Sequence, residues 1–181
     1  WLLERKEQYR ELADPTAVWD NGKWYLYPSV DMAWVSADNG ATWQHQPLNI
    51  RDVGYAPTVV KHRGKFLLMA SDSVLYVSDS ALGPFSAIGR IQVPRVARMP
   101  GFTDPMLFSD EDKQLFFYWG CTKAGGIWGV ELDAANPTNS LSTPKELIPF
   151  DPVTFPWEAV GDWNQNITSG WMEGSWMVKR G

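Results

Sequence analysis

One cysteine, two histidines and a deficit of basic charge in 181 residues remove several function classes at once. A lone Cys121 rules out an intramolecular disulfide and a cysteine-rich zinc site. With only His45 and His62, a histidine-based metal centre is not expected. The 16 Lys and Arg face 21 Asp and Glu, a net charge of −5, which argues against a phosphate-binding surface and so against nucleic acid. No window approaches the roughly 18 consecutive apolar residues of a membrane helix. Helical periodicity is nearly absent. Leu2 to Leu12, ending before Asp14-Pro15, is the best candidate for a short lead-in helix. The chain opens at Trp1 with neither Met nor a basic-then-apolar leader. Its numbered start is therefore not expected to be that of the gene product, and export stays open.

What the chain does have is aromatic residues: 11 Trp, 8 Phe and 6 Tyr, with 44% hydrophobic and 20% charged residues overall. That balance describes a globular domain with a sizeable core. Exposed aromatic faces can stack on sugar rings, and buried ones can fill space between sheets; composition leaves both readings open.

The apolar runs are short and repeat. Ala13-Asp14-Pro15-Thr16, Tyr55-Ala56-Pro57-Thr58, Thr103-Asp104-Pro105-Met106 and Met172-Glu173-Gly174-Ser175 align without gaps, with Asp14, Ala56, Asp104 and Glu173 in register. In the first three a polar turn follows: Asp20-Asn21-Gly22-Lys23, His62-Arg63-Gly64-Lys65 and Asp110-Glu111-Asp112-Lys113. Then come dense runs, Trp24 to Tyr27, Phe66 to Ala70 and Leu115 to Trp119, which lack strict alternation and predict strands buried on both faces. Third strands are expected at Ala33 to Ser36, Val74 to Ser78 and Ile127 to Leu132, and fourth strands near Thr42 to Gln44 and Phe85 to Ile88. Four antiparallel strands per unit, repeated at 42 to 69 residues, predict an all-β chain of β-propeller blades. A β-sandwich is the competing fold. The expected boundaries are a lead-in segment at 1–12, then a partial propeller at 13–181. Blade one runs over about 13–54, blade two over 55–101, blade three over 102–157, and blade four starts at about 171–181. The last unit stops within its first hairpin. Completion by further C-terminal blades or by another polypeptide is therefore expected.

First strands of propeller blades line the axis, so Asp14, Asp104 and Glu173 are expected to converge on one cavity. Crowded carboxylates push at least one pKa up, and separated pKa values serve a general acid and a general base. The alternative role for each Asp-Pro is to start a turn.

In combination, A-D-P-T at Asp14, T-D-P-M at Asp104, M-E-G-S-W at Glu173 and the Ala56-Pro57 of blade two resemble glycoside hydrolase family 43. The resemblance runs from about Ala13 to the end. It implies a five-bladed β-propeller, here ending within blade four, and an inverting glycosidase. Asp14 would be the general base, Glu173 the general acid, and Asp104 the residue that tunes the acid and helps orient it. The substrates implied are plant or algal polysaccharides, with α-L-arabinofuranosidase or β-xylosidase activity foremost. The Trp157 to Asn164 approach to blade four, leading to Trp171, departs from the commonest pattern and leaves room for another sugar, such as an anhydrogalactose. Trp34, Tyr55, Trp119 and Trp171 are candidate sugar platforms; Ser71, Cys121 and Asn164 are candidate hydroxyl partners. No cofactor is required and no metal ligand is assigned, with calcium left open. A carbohydrate partner, no nucleic acid, no membrane and a secreted or periplasmic location complete the expectation. A non-catalytic carbohydrate-binding propeller is the alternative from another class; the carboxylate trio counts against it. A phosphorylase on a related scaffold would want a cluster of basic residues, and Arg95 and Arg98 in one loop are too few.

Overall fold

A computed structural model describes residues 12–29, 31–51, 53–110, 113–121 and 125–180. The lead-in helix expected at Leu2 to Leu12 falls, apart from Leu12, outside the described residues. The chain divides into two compact units, Trp1–Arg90 and Ile91–Gly181.

The first unit holds two four-stranded antiparallel meanders. One is β1 (Thr16–Asp20), β2 (Lys23–Tyr27), β3 (Met32–Ser36) and β4 (Gln44–Pro47). The other is β5 (Thr58–His62), β6 (Lys65–Met69), β7 (Leu75–Ser78) and β8 (Ser86–Gly89). The turns that open them behave as their residues dictate: Asn21 and Gly22, then Arg63 and Gly64, all take positive φ and close tight hairpins. The registers Thr16↔Tyr27 and Thr58↔Met69 are offset by the same 42 residues, so the repeat seen in the sequence is a repeat in space. First strands β1 and β5 are neighbours. The Thr16 hydroxyl donates to the Pro57 carbonyl at 2.7 Å, and Lys61 pairs with Asp20.

Between these two sheets lies a core of Tyr27, Ala33, Ile50, Val53, Val59, Phe66, Leu68, Ala70, Ala81 and Phe85. The buried Tyr27 hydroxyl donates to the Ala81 carbonyl at 2.6 Å, so its burial does not orphan a polar atom. Asn49 does the same service twice, donating to the Phe85 carbonyl at 2.8 Å and accepting from the Phe85 amide at 2.7 Å.

The second unit carries one meander: β9 (Met106–Ser109), β10 (Leu115–Trp119), β11 (Ile127–Leu132) and β12 (Lys145–Ile148). Beyond it come two single-turn 3₁₀ helices, Pro156–Glu158 and Asp162–Asn164. Burial on both faces holds for β6, where Phe66 to Met69 are all buried. In β10 it alternates, Leu115, Phe117 and Trp119 inward and Phe116 and Tyr118 half-covered.

One expectation needs correction. The fourth strand of the first sheet begins at Gln44 rather than Thr42, because Ser36 to Trp43 are taken up by a self-bonded loop. In it Asp38 accepts from the Thr42 hydroxyl and amide and from the Ser36 hydroxyl, while the Gly40 amide donates to Ser36 Oγ. Residues 171–180 contain no strand. A strand is defined by its backbone ladder, and no described residue offers this segment one. It is held instead by side chains: the Met177 amide donates to Met106 Sδ and Lys179 pairs with Asp110 at 2.7 Å. The second contact repeats, beside β9, what Lys61 and Asp20 do between β5 and β1.

Candidate active site

Each sheet is entered through the same backbone kink. Asp14, Ala56 and Asp104, each two residues ahead of a first strand, have φ of 47°, 50° and 49°. Asp reaches this left-handed region more easily than most residues, and the Pro that follows each of the three bars the ordinary helical alternative. The carbonyl just before the kink then accepts a hydrogen bond from just past the second strand. Ser29 donates to Ala13 at 3.0 Å, Ser71 to Tyr55 at 2.8 Å, and Gly120 to Thr103 at 3.0 Å. Asp-Pro is thus a turn former, and the turn fixes where the carboxylate starts.

In the first unit Asp14 is exposed, with its carboxylate 3.4 Å from the donating hydroxyl of Ser29. Ser29 is completely buried, and its Oγ also accepts the Ala56 amide at 3.1 Å. One hydroxyl therefore ties the first acid to the kink of the next repeat. Sequence reading missed Ser29, although its offset of 42 residues from Ser71 was available as a signal.

In the second unit three functional groups meet. Asp104, Cys121 and Glu173 each offer one atom, all within 4.8 Å of one another. The Cys121 thiol donates to Glu173 Oε2 at 3.0 Å. Asp104 and Cys121 are half-buried and Glu173 is exposed. Cys121 is delivered by Gly120, whose φ of 156° suits only glycine; a Cβ there would lie 2.5 Å from the Gly126 carbonyl oxygen. Glu173 stands on the segment that lines a cleft of about 470 Å³ with Met106, Tyr118, Ile127, Leu147 and Ile148. Burial, then the Asp110 charge, pushes the Tyr118 phenol above its usual value, so Tyr118 faces the cleft neutral. A thiol and two carboxylates match calcium poorly, since that ion takes six to eight oxygens.

The remaining candidates separate by exposure. Trp119 is fully buried, stacked on Phe117 at 4.8 Å with Phe102 edge-on at 5.1 Å. Its faces are occupied, and it is a core residue in place of the expected sugar platform. Trp34 is half-buried in β3, with His45 of β4 edge-on at 5.5 Å. Tyr55 and Trp171 are 53% and 54% exposed. Ser71 is half-buried, and its amide is committed to the Tyr55 carbonyl. Asn164 is exposed at φ 54°, next to Trp163 at φ 61°.

Comparison with known proteins places these features. The model of glycosyl hydrolases family 43 matches residues 29–181. Among solved structures, an α-L-arabinofuranosidase from Clostridium thermocellum is similar at 22% identity and TM-score 0.62, over 75% of this chain and 56% of that one. An endo-arabinase from Bacteroides thetaiotaomicron is similar at 19% identity and TM-score 0.62, over 89% and 63%. An arabinoxylan arabinofuranohydrolase from Bacillus subtilis is similar at 21% identity and TM-score 0.60, over 76% and 41%. The chain thus spans roughly half the length of these structures. No curated protein sequence matches it. At these identities the likeness establishes the fold, in which the three meanders are β-propeller blades.

Proposed function

The chain belongs to glycosyl hydrolases family 43, and we propose that it forms part of an inverting glycosidase acting on O-glycosidic bonds of plant or algal polysaccharides. The observation that carries the reading is the meeting of Asp104 and Glu173 within 4.8 Å, from segments far apart in sequence. The two differ in surroundings, Asp104 half-buried and Glu173 exposed, which suits them to different roles. Glu173 protonates the departing oxygen as the glycosidic C–O bond breaks. Asp14 takes the proton of the water that attacks the anomeric carbon from the other side. Acid and base in such enzymes stand about 6.5–9.5 Å apart, leaving room for that water. Asp104 orients the acid and keeps its proton in place.

The arabinofuranosidase and arabinanase among similar structures support α-L-arabinofuranosides as first substrates; β-xylosides are the second reading. Tyr55 and Trp171 supply ring-stacking faces. A polymeric substrate accords with a secreted or periplasmic enzyme.

The test is kcat/KM for Glu173→Ala and Asp14→Ala on natural oligosaccharides and on nitrophenyl glycosides. A sugar alkoxide needs a proton to leave, whereas a nitrophenolate does not. Glu173→Ala should therefore lose about 10²- to 10⁴-fold on the oligosaccharide and far less on the nitrophenyl substrate. Asp14→Ala should lose equally on both, because water must be activated whatever departs. Equal losses for Glu173→Ala would remove it as the acid, and a selective loss for Asp14→Ala would exchange the two roles.

A further inference from the structure

We infer that Cys121 is a positioning residue for the acid: its thiol fixes which oxygen of Glu173 carries the proton and stabilises the carboxylate left behind. The inference rests on the acid role proposed for Glu173, and it assigns the thiol to the carboxyl rather than to a sugar hydroxyl.

The Sγ–H donates to Oε2 at 3.0 Å. An oxygen already accepting a donor is the poorer place for a proton, so the acidic hydrogen resides on Oε1, free to face the leaving group. As the proton passes from Oε1 to the glycosidic oxygen, negative charge spreads over both carboxyl oxygens. The S–H···Oε2 bond then becomes a bond to an anion and strengthens. An interaction stronger in the transition state than in the ground state raises kcat and leaves KM alone.

The surroundings favour this use of the thiol. Gly120 fixes the Cys121 backbone: its N–H donates a hydrogen bond to the Thr103 carbonyl, next to Asp104. Among the described residues, Asp104 from the kink before β9 and Cys121 after β10 stand beside the Glu173 carboxyl, and Tyr118 lines the same cleft. Asp104 opposes the developing charge, Tyr118 stays neutral, and Cys121 supports the charge with a hydrogen bond.

The test uses Cys121→Ala and Cys121→Ser in the protein that contains this chain. A thiol is a weak donor, so Cys121→Ala should lower kcat on oligosaccharides about five- to tenfold with KM unchanged. The loss on nitrophenyl glycosides should be several-fold smaller. Cys121→Ser keeps a donor and should restore kcat. A raised KM with unchanged kcat, equal losses on both substrates, or a serine variant no better than alanine would each overturn the inference. Glu173→Ala separates its failure from that of the acid assignment. If that variant shows the leaving-group dependence and Cys121→Ala does not, the acid stands and the positioning role falls.

Discussion

Asp38 shows how much one exposed carboxylate can organise. The Thr42 hydroxyl, then the Thr42 amide, then the Ser36 hydroxyl hold its carboxyl down from 3.8 to about 2. The unfolded chain offers none of these donors. A carboxyl with a lowered folded-state value adds stability above its unfolded value, and loses it as pH falls through the folded one. The stability margin of wild type over Asp38→Asn should therefore be full above about pH 4 and close between about pH 4 and pH 2. Denaturant midpoints of the two proteins across that range check this; a margin independent of pH would contradict it. Thr154 lowers Asp151 in the same way, by its hydroxyl first and its amide second.

At the level of strands and turns, Gly120 is the position that tolerates least. Both its φ of 156° and the 2.5 Å approach of the Gly126 carbonyl oxygen to a built Cβ exclude a side chain. Gly120→Ala should cost about 2–4 kcal/mol, from backbone strain plus overpacking. Equilibrium unfolding measures it, and a loss below about 1 kcal/mol would show that the turn relaxes. The same scale shows what the sequence makes legible. Turn-plus-run repeats locate β2, β6 and β10 to within a residue or so, because period and turn chemistry are local. The kinks before β1 and β9 are legible as well, since Asp-Pro writes each into two adjacent residues. Trp119 is not: a Trp at the end of an apolar run reads alike whether its faces meet Phe117 and Phe102 or solvent. Nor is the Cys121–Glu173 bond, which joins residues 52 apart. The self-bonded loop lay between. Ser-x-Asp-x-Gly-x-Thr-Trp at Ser36 to Trp43 spells it out, and the equivalent Ser78 repeats its first step by accepting the Ser80 amide at 3.0 Å.

For the whole chain, the second unit leaves apolar surface uncovered. Leu147 and Ile148 on the edge strand β12, with Trp171, Trp176 and Val178 on the segment beside the cleft, are 48–71% exposed. Edge strands with apolar side chains pair readily with other chains. Expressed alone, these 181 residues should self-associate, with a sedimentation coefficient that climbs as concentration rises through the micromolar range. A single monomeric boundary at all concentrations would refute this. Family membership and the blade architecture do not depend on that outcome, because they rest on matches through the sheets themselves.

The kink that opens each sheet also has an evolutionary reading. Asp14, Ala56 and Asp104 share one backbone shape, and only two of them carry an acid. Shape and chemistry are therefore inherited separately at this position. A duplicated blade brings a prepared mounting point, and a single nucleotide exchange between alanine and aspartate codons can arm or disarm it without redrawing the fold. Within this chain the bend recurs where the acid does not, so the mounting and the group mounted on it are separable features of the repeat.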